Sequence, residues 1–227
     1  MDRLPDATAR APEINLILIP VVAFLAAFLV GSIPFGYLIG RFFYRTDIRA
    51  QGSGNIGAMN ALRTLGRGGA IAVLLLDALK GFVPTFLALS LFRGHLDFEG
   101  FPPGEEILAA IAAAGAVLGH CYSPWLGWRG GKGVATSFGA VFALCWPAGL
   151  IAAAGWFAGA ALTRYSSVGS MLGCVLAPIA LWLFTGSLPE TLYGVFAAVL
   201  VIFAHRENIR RLRAGTESPI RRSQTPD

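Results

Sequence analysis

Residues 119–139 read GHCYSPWLGWRGGKGVATSFG, and this polar segment stands between two long apolar segments of the chain. Within it, Gly130, Gly131 and Gly133 surround Lys132. Because glycine tolerates positive φ, the backbone there can turn several N–H groups towards one point beside the ammonium group. The segment therefore predicts an anion-binding loop that connects two helices.

The residues after Lys132 lead into an apolar run, so the loop precedes a helix N-terminus, where free N–H groups and the helix dipole favour phosphate. The loop differs from a Walker A loop, because Gly127 lies one residue too close to the lysine and Gly133 follows it. Nucleotide hydrolysis is therefore set aside in favour of another kind of phosphate site. The alternative interpretation is a flexible connection whose cations face a membrane surface.

The composition of the whole chain is that of an integral membrane protein. Hydrophobic residues make up 55% and charged residues 14%, and the mean hydropathy is +0.63. In soluble domains, by contrast, about a quarter of all residues are charged. At about 20 residues per span, the 227 residues suffice for one compact, all-α bundle of up to seven transmembrane helices. They leave no room for a separate soluble domain.

The three cysteines are Cys121, Cys145 and Cys174, and all of them lie in or beside apolar runs. They show no CxxC spacing and have no clustered histidines. We therefore expect small core residues and neither a metal site nor a disulfide framework.

The chain divides into three parts by its hydropathy: a polar leader at 1–13, a membrane domain at 14–204 and a basic tail at 205–227. The apolar run after the leader is too long for a cleavable signal, so we predict a retained first span. Seven apolar runs follow one another: 14–40, 69–92, 107–121, 134–145, 148–162, 168–184 and 191–204. The fourth is short for about 30 Å of hydrocarbon, which predicts a tilted, half-span or broken helix.

The loop cations test this number of spans, because an odd number places the two termini on opposite sides. With seven spans, fourteen of the 18 Lys and Arg residues fall on one side. They are Arg41, Arg45, Arg49, Arg63, Arg67, Arg129, Lys132, Arg164, Arg206, Arg210, Arg211, Arg213, Arg221 and Arg222. Only Arg3, Arg10 and Arg93 fall on the other side. The positive-inside rule then predicts an external N-terminus and a cytoplasmic C-terminus.

The pI of about 9.5 reflects this orientation and contact with anionic headgroups, so we expect no nucleic-acid partner.

A second glycine-rich segment on the same predicted side, Gly52–Asn60, reads GSGNIGAMN. Its first six residues match GxGxxG, with Asp77 twenty residues past the last glycine. A dinucleotide fold requires a strand before the glycines, however, and Asp77 lies in an apolar run. The segment can still offer N–H, hydroxyl and amide donors to an anion; the alternative is a tight turn and helix cap. The candidate anion ligands are Ser53, Gly54, Asn55 and Arg63.

Asp77 and Lys80 stand three residues apart in the second apolar run and can face each other on one side of a helix. Charges inside a membrane are costly and normally point into the bundle. A structural ion pair is the favoured interpretation, and a supporting role beside the anion site is the alternative.

Two further polar segments follow. Residues 163–167 read TRYSS between two apolar runs, where Arg164 is either a membrane anchor or a phosphate ligand. Residues 205–217 read HRENIRRLRAGTE after the last run. A tail that only binds lipid headgroups would not need His205, Asn208 and Glu217 among its arginines.

Together these segments resemble a known family. SIPFGYLIGR, GSGNIGAMNALRTLG, GHCYSPWLGWRGGKGVAT, TRYSS and HRENIRRLRAGTE occur in this order over residues 32–217. They are similar to the bacterial acyl-phosphate:glycerol-3-phosphate acyltransferases, the PlsY family. The resemblance implies a seven-span inner-membrane enzyme with its active site on the cytoplasmic face and no cofactor. It would transfer a fatty acyl group from acyl phosphate to the 1-hydroxyl of sn-glycerol 3-phosphate, giving lysophosphatidic acid and phosphate in the first acylation of phospholipid synthesis. Its partners would be these two substrates and the lipid bilayer, with no obligate protein partner.

The resemblance also carries functional positions over to this sequence. The catalytic positions would be Ser53, Lys132, His205 and Asn208. The substrate-binding positions would be Gly54, Asn55, Arg63, Gly130, Gly131, Gly133, Thr163, Arg164 and Glu217. No metal ligand is expected, and the first part of the tail, 205–217, would belong to the active site. Met59 stands where the family usually has threonine, which removes a hydroxyl from that position.

The chemistry of these residues fits such a reaction. Acyl phosphate is an activated mixed anhydride, so the enzyme has little need of a covalent serine or cysteine. There is no HxxxxD pair, because Trp125 stands five residues after His120 in place of an acid. The general base is therefore either His205 or the departing phosphate. The rival function is transport of a phosphorylated metabolite or lipid, but we find no internal repeat, and the polar groups gather at one face.

Overall fold

The computed structural model describes residues 15–93 and 104–220, and side chains from residue 18 onwards within these ranges. The described residues form ten α-helices and no β-strand, which confirms the predicted all-α fold. The helices are α1 (Asn15–Ser32), α2 (Phe35–Phe43), α3 (Ala58–Thr64), α4 (Gly66–Leu91), α5 (Gly104–Cys121), α6 (Val134–Leu144), α7 (Trp146–Thr163), α8 (Ser166–Thr185), α9 (Leu188–Ala204) and α10 (Arg206–Arg213). The predicted leader at 1–13 and the end of the tail at 221–227 lie outside the described residues.

Five helical segments in the described part of the chain are long and apolar enough to cross a bilayer. They are Leu18–Phe43, Gly66–Leu91, Gly104–Leu126, Trp146–Thr163 and Ser166–Thr185. Helices α9 and α10 form a sixth candidate, which bends by 55° between the two. Each of the seven predicted apolar runs coincides with a helix or a broken helix pair. The number of crossings and the orientation of the termini stay predictions.

The fourth apolar run is short in the structure as well. Helix α6 has 11 residues, which at 1.5 Å per residue is a length of about 16 Å, roughly half of the hydrocarbon layer. It begins directly after Gly133 and is followed at Trp146 by α7. The anion-binding loop predicted from the sequence is therefore the segment that leads into this short helix.

Glycines set the position of α6 against α4. A Cβ on Gly81 would lie 2.0 Å from the carbonyl oxygen of Thr136, and one on Gly139 would lie 1.9 Å from that of Ala78. Close approach through small residues is how helices associate in an apolar solvent, where burial of apolar side chains gives little advantage. The start of α6, and the loop before it, are thus held against α4.

The break between α1 and α2 supports the other half of that loop. The hydroxyl of Ser123 donates to the carbonyl of Ser32 at 2.7 Å, and Nε1 of Trp125 donates to the Ser32 hydroxyl at 2.8 Å. Cys121, which ends α5, and Cys174 in α8 are buried, as predicted for small core residues, whereas Cys145 between α6 and α7 is only partly buried. The segment between α5 and α6 is therefore tied to the bundle at several points.

Candidate active site

The glycine-rich loop presents a side chain rather than a row of backbone donors. Gly133 has φ +84° and precedes the first residue of α6, as the sequence predicts. The N–H groups of Gly130 and Gly131, however, donate to the carbonyls of Cys121 and His120, each at 3.0 Å. These two carbonyls end α5 and need donors. The expectation that Gly130 and Gly131 adopt positive φ and offer N–H groups to an anion is therefore wrong, and the loop serves to hold Lys132.

Lys132 is half-buried, and its ammonium group donates to Oδ1 of Asn208 in α10. Burial, and next the charge of Arg211, lower the pKa of Lys132 to about 8, with a smaller contribution from Arg63 in the same direction. Arg211 and Arg63 therefore both lie close enough to act on Lys132, while the charge of Glu217 acts in the opposite direction. Such a cluster creates a positive potential that a phosphate dianion relieves.

Glu217 in the tail holds this arrangement together. Its Oε1 accepts hydrogen bonds from Asn208 Nδ2 at 2.6 Å and from Ser167 Oγ at 3.0 Å. Its Oε2 accepts one from Nε of Arg211 at 2.7 Å. Burial alone would raise the pKa of Glu217, but the three hydrogen bonds hold it below its usual value. The ionised carboxylate thus orients Asn208, which in turn contacts Lys132.

We expect Glu217→Gln to lower the thermal stability of the purified protein, because the amide replaces a charged acceptor and brings a new donor towards Asn208 or Arg211. A hydrogen bond to a charged group contributes about 1.5–3 kcal/mol, and the partly exposed Arg211 adds less than a buried partner. The contribution of a carboxylate with a lowered pKa is present above its ordinary value of 4.5 and fades as pH falls below it. Differential scanning fluorimetry in detergent should therefore show a lower Tm for the variant at pH 7 and a shrinking difference in acid.

The matched control is Glu207→Gln in α10. Glu207 pairs with Arg210 at 2.6 Å, but the two side chains are 50% and 77% exposed. Exposed ion pairs contribute little to the free energy of unfolding, so this variant should have the same Tm as the wild type. Equal Tm values for Glu217→Gln and Glu207→Gln at pH 7 would show that Glu217 does not hold the tail.

His205 lies between α9 and α10 and is buried. Its Nδ1 donates to the carbonyl of Val201 at 2.8 Å, since a carbonyl oxygen only accepts. Nε2 is then the nitrogen that carries the free lone pair. Burial, and next the charge of Lys132, lower the pKa of His205 to about 4, so the ring is neutral at pH 7. His205 can accept a hydrogen bond from a hydroxyl, but it is a weak base.

The second glycine-rich segment is a turn organised by amide side chains. Oδ1 of Asn60 accepts the N–H of Ser53 at 2.8 Å, and Oδ1 of Asn55 accepts that of Gly57 at 2.9 Å. Gly54 has φ +71°, which a side chain would resist. Asn55 therefore forms the tight turn of the alternative interpretation, but α3 begins after Gly57 without a side-chain cap. The hydroxyl of Ser53 is exposed and has no hydrogen-bond partner in the part of the chain that the structure describes.

Two of the remaining predicted residues meet the end of the tail. Nη2 of Arg63 lies 3.5 Å from the carbonyl oxygen of Ser218. Arg164 has φ +65°, and its carbonyl accepts the N–H of Ile220 at 2.8 Å. The hydroxyl of Thr163 donates to the carbonyl of Gly159 in its own helix, at 2.6 Å, and accepts the N–H of Tyr165 at 3.2 Å. The tail thus brings the ends of α3, α7 and α10 to one place.

Asp77 and Lys80 form the ion pair that their spacing predicts. Nζ of Lys80 lies 2.8 Å from Oδ1 of Asp77, and both side chains are 2% exposed. The same ammonium donates to the carbonyl of Ile33 at 2.8 Å. The pair is therefore buried inside the bundle and also satisfies backbone at the break between α1 and α2.

Sequence reasoning missed two members of the cluster, Ser167 and Arg211. Arg211 is one of several tail arginines that look equivalent in the sequence, and its selection by Glu217 depends on a fold of the tail that spacing does not reveal. Ser167 stands in the predicted TRYSS break, three residues from Arg164. This position was the one feature of the sequence that could have marked Ser167 as a site residue. Within the described ranges, no three His, Cys, Asp or Glu side chains cluster as metal ligands.

Comparison with known proteins adds to this geometry. A family model described as glycerol-3-phosphate acyltransferase matches residues 21–215. The chain is 46% identical to the glycerol-3-phosphate acyltransferase of Synechococcus sp. (strain JA-2-3B'a(2-13)). The 200 aligned residues cover 88% of this chain and 94% of the relative. It is 43% identical over 211 residues to that of Zymomonas mobilis subsp. mobilis, with 91% and 98% covered.

Two solved structures share the fold. One is the crystal structure of PlsY (YgiH), an integral membrane glycerol 3-phosphate acyltransferase, in its glycerol 3-phosphate form. It superposes with a TM-score of 0.80 at 33% identity and covers 89% of this chain and 96% of that chain. The other is the lysophosphatidic acid form of the same enzyme, with a TM-score of 0.78, 32% identity and coverage of 89% and 95%.

Proposed function

Because the chain belongs to the glycerol-3-phosphate acyltransferase family, we propose that it acylates the 1-hydroxyl of sn-glycerol 3-phosphate with acyl phosphate as the donor. The products are 1-acyl-glycerol 3-phosphate (lysophosphatidic acid) and phosphate, and the reaction is the first acylation of phospholipid synthesis. The observation that carries the proposal is the cation cluster at one end of an apolar bundle. Lys132 is held by Asn208, and Arg211 is held by Glu217, which also binds Asn208. Arg63 lies against the tail at Ser218. Both substrates bear phosphate, and one of them bears an acyl chain.

The cluster suits the phosphate of glycerol 3-phosphate in particular. Acyl phosphate is anchored in the bilayer by its chain, whereas glycerol 3-phosphate has no apolar part and must be bound through its charge and hydroxyls. Lys132 is half-buried and already fixed by Asn208, so a charge-assisted hydrogen bond from it costs little further ordering. In the proposal, Lys132 and Arg63 bind this phosphate, and Arg164 binds the phosphate of the donor.

The segment Ser53–Asn55 completes the proposed substrate site together with Thr163, whose hydroxyl keeps one acceptor lone pair besides its bonds to Gly159 and Tyr165. The hydroxyl of Ser53 is exposed beside the turn that Asn60 organises, and it is free to bind substrate or the developing oxyanion. The helix start after Gly133 adds first-turn N–H groups and a favourable dipole.

An apolar groove along the break between α1 and α2 is the surface that we propose for the acyl chain. A groove of about 280 Å³ is lined by Ile33, Pro34, Tyr37, Leu38, Trp125 and Leu126. Trp125 and Leu126 belong to the same connection between α5 and α6 as Lys132. A chain lying in this groove stays in contact with the hydrocarbon layer while its carbonyl reaches the polar end.

The reaction proceeds by direct transfer. The 1-hydroxyl oxygen attacks the carbonyl carbon, the bond from that carbon to the phosphate oxygen breaks, and phosphate leaves with the electron pair. The hydroxyl proton goes to the departing phosphate, because His205, with a pKa of about 4, is the weaker base. Before the attack, Nε2 of His205 accepts the hydrogen bond of the 1-hydroxyl and orients its oxygen, and the proton passes to phosphate as the new C–O bond forms.

We place the site on the cytoplasmic side of the inner membrane, with the N-terminus outside. The cation distribution along the sequence supports this orientation, and the arginines of α10 suit contact with anionic headgroups. Since the donor is already activated, the proposed reaction requires no metal, cofactor, nucleic acid or protein partner.

The test is a transfer assay with purified protein in detergent. Acyl phosphate and glycerol 3-phosphate should give lysophosphatidic acid and inorganic phosphate in equal amounts. Acyl-CoA as donor and glycerol as acceptor should each give no product. Transfer from acyl-CoA at a similar rate would contradict the proposed donor. Absence of any transfer would contradict the function, because an acyltransferase needs no sealed vesicle whereas a transporter does.

A further inference from the structure

A buried cluster of Asp77, Lys80 and His120 lies beneath the glycine-rich loop, and the proposed reaction makes no use of it. The three residues are 1%, 3% and 3% exposed. Nδ1 of His120 lies 3.6 Å from Oδ1 of Asp77, the oxygen that also pairs with Lys80. Lys80 in turn donates to the carbonyl of Ile33. The cluster therefore joins α4, α5 and the break between α1 and α2 in one unit.

The imidazole of His120 is the part of this cluster that contacts the loop. A Cβ on Gly131 would lie 2.0 Å from Nε2 and 2.6 Å from Cε1 of His120, so the ring packs against the glycine Cα. The carbonyl of His120 also accepts the N–H of Gly131 at 3.0 Å. Gly131 directly precedes Lys132, so side chain and backbone of one residue fix the position from which the Lys132 side chain starts.

We infer that His120 is a positioning residue for Lys132. Its ring lies beside the Asp77–Lys80 pair and packs against Gly131, and so aims the Lys132 ammonium group at the phosphate of glycerol 3-phosphate. One nitrogen of the ring faces Asp77 and the other faces Gly131. His120 is therefore enclosed and does not act on the reacting atoms itself. The inference rests on the proposed function only in that Lys132 binds this phosphate.

His120→Asn is the first test. Asparagine keeps a polar group towards Asp77 and lacks the part of the ring that contacts Gly131. We expect the KM for glycerol 3-phosphate to rise about tenfold with a smaller change in kcat, because Lys132 binds the phosphate and a displaced ammonium group loses part of that charge-assisted hydrogen bond. The Kd for glycerol 3-phosphate, measured by calorimetry, should weaken by the same factor. Thr85→Val is the control, because Thr85 is buried in α4 and bonds only within its helix.

Gly131→Ala is the second test and leaves the buried charges intact. Gly131 does not have a positive φ, so the cost of a methyl group there comes from contact with the His120 ring. We expect this variant also to lose about tenfold in affinity for glycerol 3-phosphate. The double variant His120→Asn/Gly131→Ala should lose much less affinity for glycerol 3-phosphate than the product of the two single losses, because both substitutions act through the same contact.

Two results would overturn the inference. One is a Kd for glycerol 3-phosphate in His120→Asn equal to that in Thr85→Val. The other is a double variant whose loss equals the product of the single losses, which indicates independent effects. Failure of the proposed function is seen separately, as wild-type protein without transfer activity, and the Kd comparison still decides the role of His120.

Discussion

Lys132→Ala is expected to lower kcat/KM for acyl transfer to glycerol 3-phosphate by about ten- to a hundred-fold or more, while the protein still folds. The ammonium group is half-buried, is fixed by Asn208 and lies at the start of α6. A charge-assisted hydrogen bond to phosphate contributes roughly 1.5–3 kcal/mol, which corresponds to this loss of rate. The measurement is the transfer assay in detergent with varied glycerol 3-phosphate.

The matched control is Arg213→Ala, which removes one positive charge from the exposed end of α10. It should leave kcat/KM within about twofold of the wild type, because Arg213 is exposed and, in the described part of the chain, does not share the hydrogen bonds of Lys132, Asn208 and Glu217, so its charge is screened by salt. Equal losses in Lys132→Ala and Arg213→Ala would make the glycine-rich loop a simple connection. Near-normal turnover in Lys132→Ala would lead to the same conclusion.

The pH profile gives an independent reading of the same group. Lys132 binds phosphate as the ammonium ion, and its pKa is lowered to about 8, chiefly by burial. Activity that depends on this charge is therefore present below about pH 8 and is lost as pH rises through it. The profile of kcat/KM reports ionisations of the free enzyme. We expect Lys132→Arg to shift the alkaline fall to higher pH, because arginine stays charged throughout this range.

Lys80→Met is expected to destabilise the folded protein by about 3–5 kcal/mol, since loss of one partner leaves Asp77 as an unpaired buried charge. Lys80 and Asp77 are each 2% exposed in their side chains, so water does not compensate for the loss. The substitution also removes the donor to the carbonyl of Ile33. Thermal unfolding in detergent should show a Tm far below that of the wild type.

Asp47 and Arg49 provide the exposed counterpart of this pair. They are joined at 2.7 Å, but their side chains are 32% and 41% exposed, so Arg49→Met should change Tm little. If Lys80→Met keeps the wild-type Tm and loses activity, the ion pair serves the reaction and its structural role is refuted.

The sequence predicted those features that depend on short-range pattern. The apolar runs gave the helices because hydropathy over about 20 residues is a strong signal in a membrane protein. The Asp77–Lys80 pair followed from helical spacing, and Gly133 followed from its place before a helix. In each case the relevant residues lie within a few positions of one another.

Features that depend on distant parts of the chain were less accessible. The donors of Gly130 and Gly131 are used by the end of α5, which only the packing of the loop reveals. Glu217 reaches back to Ser167, fifty residues away, and selects Arg211 from among several arginines. No periodicity or spacing distinguishes Arg211 from its neighbours, so the members of the network depend on how the tail folds onto α8.

The most direct test is the binding of glycerol 3-phosphate to the purified protein, measured by isothermal titration calorimetry without any acyl donor. The account predicts that glycerol 3-phosphate binds saturably to the wild-type protein and that glycerol does not bind under the same conditions. The Kd for glycerol 3-phosphate should be at least tenfold weaker in Lys132→Ala. Equal affinity of the wild type and Lys132→Ala for glycerol 3-phosphate would contradict the assignment of the phosphate site to this loop.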